Sequence, residues 1–332
     1  MRGAIIGFGD VAQFGHWPAY QQFPSISIVA IVDRTPARRR VAEALDASLR
    51  TYDSVGALVD AERLDFVDIC TPPALHHEPM LRALDAGCHV LCEKPFVIDP
   101  TALDRVRERS RAARRSVVPV HNWKYAPIVR SATDLLRAGA IGALRRVHIE
   151  TSRLRACPTA EIDGTNWRRD PRLSGGGIVM DHGWHAAYLA LHWFGEPAAL
   201  ASATLVRAAP DAVEEEADVR LAFPSGEATI ALTWNGTHRY NRMRLTGDRG
   251  EIAIDDDMLR VAATDGVESA TTFTRALSHG SHHEDWFAAM LPDVLAAFGD
   301  RRQAERGVDE AASCLRLIRS AYQADLSVAA RG

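Results

Sequence analysis

The first apolar segment of the chain runs directly into a glycine-rich turn. Arg2 to Ile6 predicts a short buried strand, and Gly7-Phe8-Gly9-Asp10-Val11-Ala12 connects it to a predicted helix. In such a G-x-G-x-x-A turn the first glycine permits the tight reversal, the second lets the backbone approach a pyrophosphate, and the alanine permits close helix packing. The phosphates then lie at the helix N-terminus. The turn therefore predicts an α/β sheet that binds a dinucleotide.

A carboxylate ends the second predicted strand. Ile26 to Val32 is apolar, and Asp33 follows it about 20 residues after Ala12, where such folds place the acid that binds the adenosine ribose. Asp33 favours NAD, because a carboxylate repels the 2'-phosphate of NADP. Arg34 and Arg38 keep NADP open as an alternative, since a guanidinium can accept that phosphate.

Strands and helices continue to alternate in the first third of the chain. Further apolar strands are predicted at Phe66 to Cys70, His89 to Cys92 and Val117 to Val120. This alternation predicts a doubly wound parallel sheet whose carboxyl edge gathers the ends of these strands. We place a domain boundary after the last of them, which gives a dinucleotide-binding domain at 1–121 and a second domain at 122–332.

Lys94 is one of only two lysines, with Lys124, among 39 basic residues. One explanation for the two lysines is that they remained by chance while the chain drifted toward arginine. The surroundings favour another: Lys94 follows a short apolar strand, and Pro95 makes the preceding residue extended, so the lysine leaves the carboxyl end of the strand, where ligands bind. A compact ammonium can take part in proton transfer, which a guanidinium cannot.

The second half predicts an α+β domain. A helix at 127–138 and a strand at 144–151 precede alternating segments at 199–207, 216–223, 227–234, 242–246, 250–254 and 258–263, and helices are predicted at 284–299 and 308–324. The predicted fold is therefore α/β, with an N-terminal Rossmann sheet and a C-terminal α+β domain that has a large, mostly antiparallel open sheet.

Ile178 to Phe194 predicts a helix that stops at Gly195. Helical spacing places Asp181 and His185 on one face, where the carboxylate could orient an imidazole suited to proton transfer near neutral pH. A capping aspartate and a packed histidine explain the pattern equally well. A metal site formed with His192 is less favoured, because the spacing matches no recognised ligand pattern.

Composition narrows the class of protein. With 25% charged residues and a net charge of -4, the chain does not suggest nucleic acid as its main partner. The basic run from Arg105 to Arg115 has helical spacing and predicts a solvated helix face. Five cysteines without metal-ligand spacing suggest reduced thiols in a cytoplasmic protein, and neither a signal peptide nor a membrane-spanning segment is predicted.

Several motifs together resemble the glucose-fructose oxidoreductase, inositol dehydrogenase and rhizopine-catabolism (Gfo/Idh/MocA) family. They are Gly7-x-Gly9-x-x-Ala12, Thr71-Pro72-Pro73, Glu93-Lys94-Pro95, Gly139-x-Ile141-Gly142, and Gly175-Gly176-Gly177 followed by Asp181-x-Gly183-x-His185. The resemblance implies nicotinamide-dependent oxidation or reduction of sugars, cyclitols or related polyhydroxylated compounds. It also implies a homodimer or homotetramer that associates through the C-terminal sheet.

The resemblance implies roles for individual residues. The catalytic set is Lys94, which contacts the substrate hydroxyl and the nicotinamide ribose, His185 as the acid/base, and Asp181, which helps to bind or orient. The cofactor-binding set is Gly7, Phe8, Gly9, Val11, Ala12, Asp33, Arg34, Thr71, Pro72, His76, Glu93 and Lys94. The substrate-binding set is Lys94, Asn122, Lys124, Trp167, Arg168, Asp181, His182 and His185. No metal is expected. Two residues depart from the pattern, Tyr188 where many members have an acid and Lys124 where many have Arg.

Three functions are compatible with these residues. The leading one is hydride transfer, with His185 exchanging the substrate proton and Lys94 stabilising the alkoxide. The second is a glycosidase that retains NAD and works by transient oxidation and elimination. The third is a cofactor-sensing regulator without catalysis, which the retention of Lys94, Asp181 and His185 makes less favoured.

Overall fold

The computed structural model describes residues 1–157, 166–264, 266 and 268–329. Its first sheet is entirely parallel, with the strand order β3-β2-β1-β4-β5-β6. The strands are β1 (Arg2–Ile6), β2 (Ser27–Val32), β3 (Arg50–Tyr52), β4 (Phe66–Ile69), β5 (His89–Cys92) and β6 (Val117–Pro119). The helices between them are α1 (Trp17–Tyr20), α2 (Pro36–Leu45), α3 (Val55–Ala61), α4 (His77–Asp85) and α5 (Pro100–Ala113).

The doubly wound parallel sheet predicted from the sequence is confirmed. Central strands such as β4 are buried along their whole length, because helices cover both faces. The edge strand β3 was not predicted, since three residues, two of them polar, carry no recognisable apolar pattern. The basic side of α5 is largely exposed, as its helical spacing indicated.

The second sheet has the order β14-β13-β12-β11-β7-β10-β9-β8, and only its β7–β10 pair is parallel. Its strands are β7 (Leu144–Ser152), β8 (Ala199–Arg207), β9 (Glu214–Phe223), β10 (Gly226–Thr233), β11 (Tyr240–Gly247), β12 (Gly250–Asp255), β13 (Met258–Ala263) and β14 (Glu268–Thr272). This confirms the large, mostly antiparallel sheet. The edge strand β14 was not predicted, because all its residues are exposed and no apolar alternation marks it.

Three helices lie next to the first strands of the second sheet in the chain. Helix α6 (Pro127–Arg137) precedes β7, and α7 (Pro171–Ser174) and α8 (Ile178–Phe194) lie between β7 and β8. Helix α8 packs against β9 and β10 and is buried on nearly all sides, which explains why its residues are mostly apolar. The opposite face of the sheet is open. On β9, for example, Asp218 and Arg220 are exposed while Val219 and Leu221 are buried.

The last two helices return to the first sheet. Helix α9 (Glu284–Gly299) places Phe287 in a stack on His16, with ring centroids 3.6 Å apart, and Phe298 against the ring of Phe66. Helix α10 (Arg301–Ala329) contacts β6, α8 and β8. The two halves of the chain therefore share packing surfaces. In the part of the chain that the structure describes, no helix is long and apolar enough to cross a membrane.

Candidate active site

The glycine turn has the geometry that a dinucleotide requires. Gly7 has a φ of +90°, and a Cβ atom there would lie 2.8 Å from Thr71 Cγ2. A Cβ at Gly9 would meet nothing within 4 Å, so the backbone of this residue borders open space. The helical segment begins at Asp10 and continues through a π-helical turn, Ala12–His16, into α1. The open backbone at a helix N-terminus fits a pyrophosphate.

Asp33 ties the turn to the end of β2. Its Oδ2 accepts a hydrogen bond from the Phe8 N–H at 2.8 Å, and its Oδ1 accepts one from the Thr35 N–H at 2.8 Å. Arg38 Nη1 lies 3.9 Å from Oδ2, and Arg34, the next residue in the chain, is exposed. Asp33 thus has a structural role in addition to the expected contact with ribose, and the Arg38 guanidinium lies near its carboxylate.

His76 joins the segments that follow β4 and β5. Its Nε2 lies 2.6 Å from the Thr71 carbonyl oxygen, and its Nδ1 lies 3.2 Å from the Phe96 carbonyl oxygen. The ring is fully buried, and burial lowers its pKa. Pro72 precedes the 3₁₀ turn at Pro73–Leu75. This histidine therefore lies between the two loops that end at the same edge of the sheet, and its neutral ring can donate to one of the two carbonyl oxygens.

Glu93 belongs to a buried network that sequence reasoning missed. His16 Nδ1 lies 2.7 Å from Asp68 Oδ2, and His16 Nε2 lies 3.1 Å from Glu93 Oε1. Burial would lower the pKa of His16, but Asp68 and Cys70 outweigh that effect and raise it well above its usual value. The other Glu93 oxygen accepts the Lys94 N–H at 2.9 Å. The network therefore holds the backbone of Lys94 from behind.

His16, Asp68 and Cys70 are also the one cluster of potential metal donors in the described ranges. The imidazole and the Asp68 carboxylate already satisfy each other by a hydrogen bond, and Tyr20 donates a second one to Asp68 at 2.9 Å. The cluster is thus complete as a hydrogen-bond network and does not require an ion.

Lys94 and Asp181 form the central ion pair. Lys94 Nζ lies 2.7 Å from Asp181 Oδ1 and 3.2 Å from the main-chain oxygen of Asp181. The Lys94–Pro95 peptide bond is cis. Both side chains are largely buried, with 15% and 12% of their surface exposed. A lysine at the end of β5 is thereby joined to the first turn of α8.

Arg168 and His182 also lie next to Asp181. Arg168 Nε lies 3.3 Å from Oδ2, in ion-pair range but without hydrogen-bond geometry, and the Arg168 guanidinium stacks on the ring of Trp167 at 4.3 Å. His182 Nδ1 lies 3.5 Å from the same oxygen. Burial would raise the pKa of Asp181, but Lys94, His182 and Arg168 outweigh it and hold the pKa well below the usual range. Asp181 is therefore a carboxylate at neutral pH.

His185 contacts two aromatic residues, Tyr188 and Trp123. Its Nδ1 lies 2.8 Å from the Tyr188 hydroxyl, and its ring stacks on Trp123 with centroids 4.5 Å apart. Burial lowers the pKa of His185 well below its usual value, and the positive charge of Lys94 lowers it further. The imidazole is therefore neutral at neutral pH.

Lys124 is held by a residue that the sequence gave no reason to select. Its ammonium binds both oxygens of Glu310 on α10, at 2.6 Å from Oε2, and lies 5.5 Å from the centre of the Tyr188 ring. His121 Nδ1 binds Glu310 Oε1 at 2.6 Å, and His121 Nε2 accepts the indole N–H of Trp184. Tyr188, whose ring lies near the Lys124 ammonium, also contacts His185 through its hydroxyl. Asn122 starts the short 3₁₀ helix, Asn122–Tyr125, that carries Trp123 and Lys124.

The glycines before α8 are explained by what packs against them. Glu214 accepts hydrogen bonds from the N–H groups of Gly177 at 3.0 Å and Val179 at 3.0 Å, and from the Tyr322 hydroxyl at 2.7 Å. A Cβ at Gly177 would collide with the Glu214 backbone, and one at Gly176 would collide with Tyr322. Burial raises the pKa of Glu214. Glu214 thus caps the helix that carries Asp181 and His185.

The structure brings five of the predicted site residues to one place. Lys94, Asp181, His182 and Arg168 meet directly, and His185 lies one helical turn further along α8. His16, Asp68, Glu214 and Glu310 were missed. Of these four, only His16 lies close to a recognised sequence motif, because it follows the glycine turn and the start of the helix after it.

Comparisons with known proteins identify the family of the chain. A family model described as the NAD-binding Rossmann fold of the GFO_IDH_MocA oxidoreductases matches residues 1–121, and one for the GFO/IDH/MocA C-terminal domain matches residues 129–253. D-apiose dehydrogenase from Paraburkholderia graminis is 28% identical over 290 residues, covering 84% of this chain and 74% of that protein. A dTDP-3,4-didehydro-2,6-dideoxy-alpha-D-glucose 3-reductase from Streptomyces violaceoruber is 28% identical over 284 residues, covering 81% and 79%.

Solved structures share the fold. Aldose-aldose oxidoreductase from Caulobacter crescentus, complexed with glycerol, superimposes with a TM-score of 0.84 at 23% identity and covers 98% of each chain. Other structures of the same fold contain NAD+ or NADP. Because models of both domains of one family match the chain, it belongs to the Gfo/Idh/MocA family of NAD(P)-binding oxidoreductases, which has members that act on sugars or sugar nucleotides.

Proposed function

We propose that this enzyme transfers hydride between a nicotinamide cofactor and a CH–OH carbon of a sugar, cyclitol or related polyhydroxylated substrate. The observation that carries the proposal is the Lys94–Asp181 ion pair beside His185. The pair lies at the carboxyl edge of the sheet whose glycine turn fits a dinucleotide, and in such folds ligands bind at that edge.

The chain supplies the groups that handle the substrate oxygen. When it is bound, the nicotinamide supplies or accepts the hydride. Lys94 stabilises the negative charge that develops on the oxygen, because its ammonium is fixed by Asp181 and retains one N–H for a ligand. We assign His185 the acid/base role at that oxygen and Asp181 the role of orienting Lys94.

Other residues are proposed as contacts. Asn122, Lys124, Trp167, Arg168 and His182 would bind the rest of the substrate. We further propose that residues 1–121 bind the cofactor, that 122–332 bind substrate, and that the open face of the second sheet forms a homodimer or homotetramer. NAD is the proposed cofactor, and NADP is the alternative.

The direct test is a panel of sugars, cyclitols, nucleotide sugars and their keto derivatives, followed by the absorbance of NADH or NADPH. We expect turnover with at least one pair and loss of turnover in Lys94→Ala. Tyr125→Phe is a suitable control, because it removes a hydroxyl bonded to Asp293, which belongs to α9. Cleavage of a glycoside without net NADH would instead indicate an NAD-retaining glycosidase, and the absence of any turnover would contradict the proposal.

A further inference from the structure

The hydrogen-bond partners of the Tyr188 hydroxyl determine where its proton points. The oxygen accepts the Trp123 main-chain N–H at 3.1 Å. Its second contact is His185 Nδ1 at 2.8 Å. Among the residues that the structure describes, no other acceptor contacts this hydroxyl. Because the Trp123 N–H can only donate, the hydroxyl proton must point toward His185 Nδ1 if it is to be satisfied.

The tautomer of His185 follows from this contact. A neutral imidazole has one donor nitrogen and one acceptor nitrogen. If Nδ1 accepts from Tyr188, the proton of the neutral ring lies on Nε2. The opposite tautomer would aim Nδ1–H at the Tyr188 oxygen and leave the hydroxyl proton buried without an acceptor, which is unfavourable. Tyr188 is completely buried, so water does not compensate.

Two donors therefore remain for a ligand. His185 Nε2 makes no hydrogen bond to any described residue and is not among the buried unpartnered atoms. Lys94 Nζ uses two of its three N–H groups on Asp181. A carbonyl oxygen has two lone pairs and can accept from both groups. A hydroxyl must also place its own proton, and Asp181 already has Oδ1 bound to Lys94 and Oδ2 in ion-pair range of Arg168.

We propose that Tyr188 holds neutral His185 in the Nε2-protonated tautomer, and that the resting site is thereby set to bind the carbonyl form of its substrate, a keto sugar, rather than the alcohol. The inference rests on the proposed function and deepens it by naming the form of substrate that the site prefers. Tyr188 acts as a positioning residue through His185. A carboxylate at this position would accept from Nδ1–H and favour the opposite tautomer, so the departure of Tyr188 from the family pattern has a chemical consequence.

Nitrogen NMR of the full chain, labelled with ¹⁵N-histidine and saturated with NADH or NADPH, tests the tautomer directly. His185→Gln assigns the resonances. At pH 7 we expect Nδ1 to resonate as an unprotonated ring nitrogen and Nε2 as a protonated one. In Tyr188→Phe we expect both signals to shift toward an average of the two tautomers, whereas Tyr125→Phe should leave them unchanged. A protonated Nδ1 in the unmodified chain would overturn the proposal.

Kinetics test the consequence with the alcohol and carbonyl pair that the substrate panel identifies. In Tyr188→Phe we expect KM for the carbonyl compound to rise roughly 3- to 10-fold, the contribution of about one hydrogen bond, while KM for the alcohol changes less. A variant cannot change the equilibrium constant of the reaction, and this constant fixes the ratio between kcat/KM for the alcohol and kcat/KM for the carbonyl compound. The preference for one form must therefore appear in the two KM values. A larger rise in KM for the alcohol would refute the proposed preference. Absence of turnover by the unmodified chain would count against the proposed function. The NMR experiment does not depend on turnover, so it tests the tautomer separately.

Discussion

The Nζ atom of Lys94 lies 2.7 Å from Asp181 Oδ1 and 3.2 Å from the Asp181 main-chain oxygen, so the end of the first sheet is fixed to the first turn of α8. Behind Lys94, Glu93 accepts its N–H and is held by His16. Beyond Asp181, Glu214 caps the helix. The two central residues are thus supported by a separate buried carboxylate on each side, which restricts their relative movement.

Removal of Lys94 or His185 should affect chemistry more than cofactor binding. We expect Lys94→Ala and His185→Ala each to lower kcat by about 100-fold or more, because groups that transfer or stabilise a proton contribute on the order of 10² to 10⁴ in rate. NAD affinity, measured by fluorescence titration, should stay within a few-fold. Lys94→Arg should be nearly as impaired, since a planar guanidinium does not fit the contact with Asp181. Near-normal turnover in Lys94→Arg would mean that the position requires only positive charge.

Asp33 should determine cofactor preference. We expect the unmodified chain to bind NAD(H) more tightly than NADP(H), and Asp33→Ala to shift the preference toward NADP(H), because Arg34 and Arg38 flank the position. The loss of the hydrogen bond to Phe8 should also weaken binding of both cofactors. Titration of both cofactors against both proteins measures this. Equal or tighter NADP(H) binding by the unmodified chain would contradict the prediction.

Glu214 should stabilise the helix that carries the site. In Glu214→Ala, the N–H groups of Gly177 and Val179 and the Tyr322 hydroxyl lose their acceptor, so we expect the free energy of unfolding to fall by about 2 to 4 kcal/mol. Glu214→Gln keeps one acceptor oxygen and should lose less. Urea unfolding measures both, with exposed Glu227→Ala as the matched control. Equal stability of Glu214→Ala and the control would exclude a capping role.

Lys124 should bind substrate rather than take part in chemistry. We expect Lys124→Ala to raise KM more than it lowers kcat, as loss of uniform binding does. The ion pair with Glu310 provides the competing explanation, which is structural. Glu310→Gln separates the two, because it keeps Lys124 but removes its partner. If Lys124→Ala loses stability to the same extent as Glu310→Gln and its KM is unchanged, Lys124 has no substrate role.

Glu310 should make stability depend on pH. Burial would raise its pKa, but the hydrogen bond from His121 and the charge of Lys124 outweigh it and lower the pKa from 4.5 to about 2. A carboxyl group with a depressed pKa in the folded state contributes stability above pH 4.5, and this contribution is lost as the pH falls toward 2. We expect Glu310→Gln to be less stable than the unmodified chain at pH 7 by roughly 1 to 3 kcal/mol. The difference should shrink by about pH 3 in urea unfolding; a difference independent of pH would contradict the assignment.

Local patterns were enough to predict most elements. The glycine turn, the apolar run of β5 and the helical spacing that ends at Gly195 each occupy a few consecutive residues, and the structure confirms all three. The edge strands β3 and β14 were missed because they are short or fully exposed, so no burial pattern marks them.

The site was predicted only in part. Lys94 and Asp181 were selected separately, but their contact joins residues 87 positions apart, which no spacing rule predicts. Glu214 and Glu310 were missed, because a single buried carboxylate has no signature in the sequence around it. For Lys124 the sequence indicated an unusual environment, and the structure shows that a glutamate on the last helix provides it.

The sequence by itself determined the parallel sheet with its glycine turn, the second, mostly antiparallel sheet, and the residue types able to move a proton. These follow from periodicity, turn chemistry and residue identity, which act over short stretches of chain. Only the tertiary structure decided which charges pair, that Tyr188 faces His185 Nδ1, and that His16 and Glu214 support the site from behind. Such contacts depend on where distant backbone segments meet, because a buried charge or hydroxyl takes its partner from whichever element packs against it.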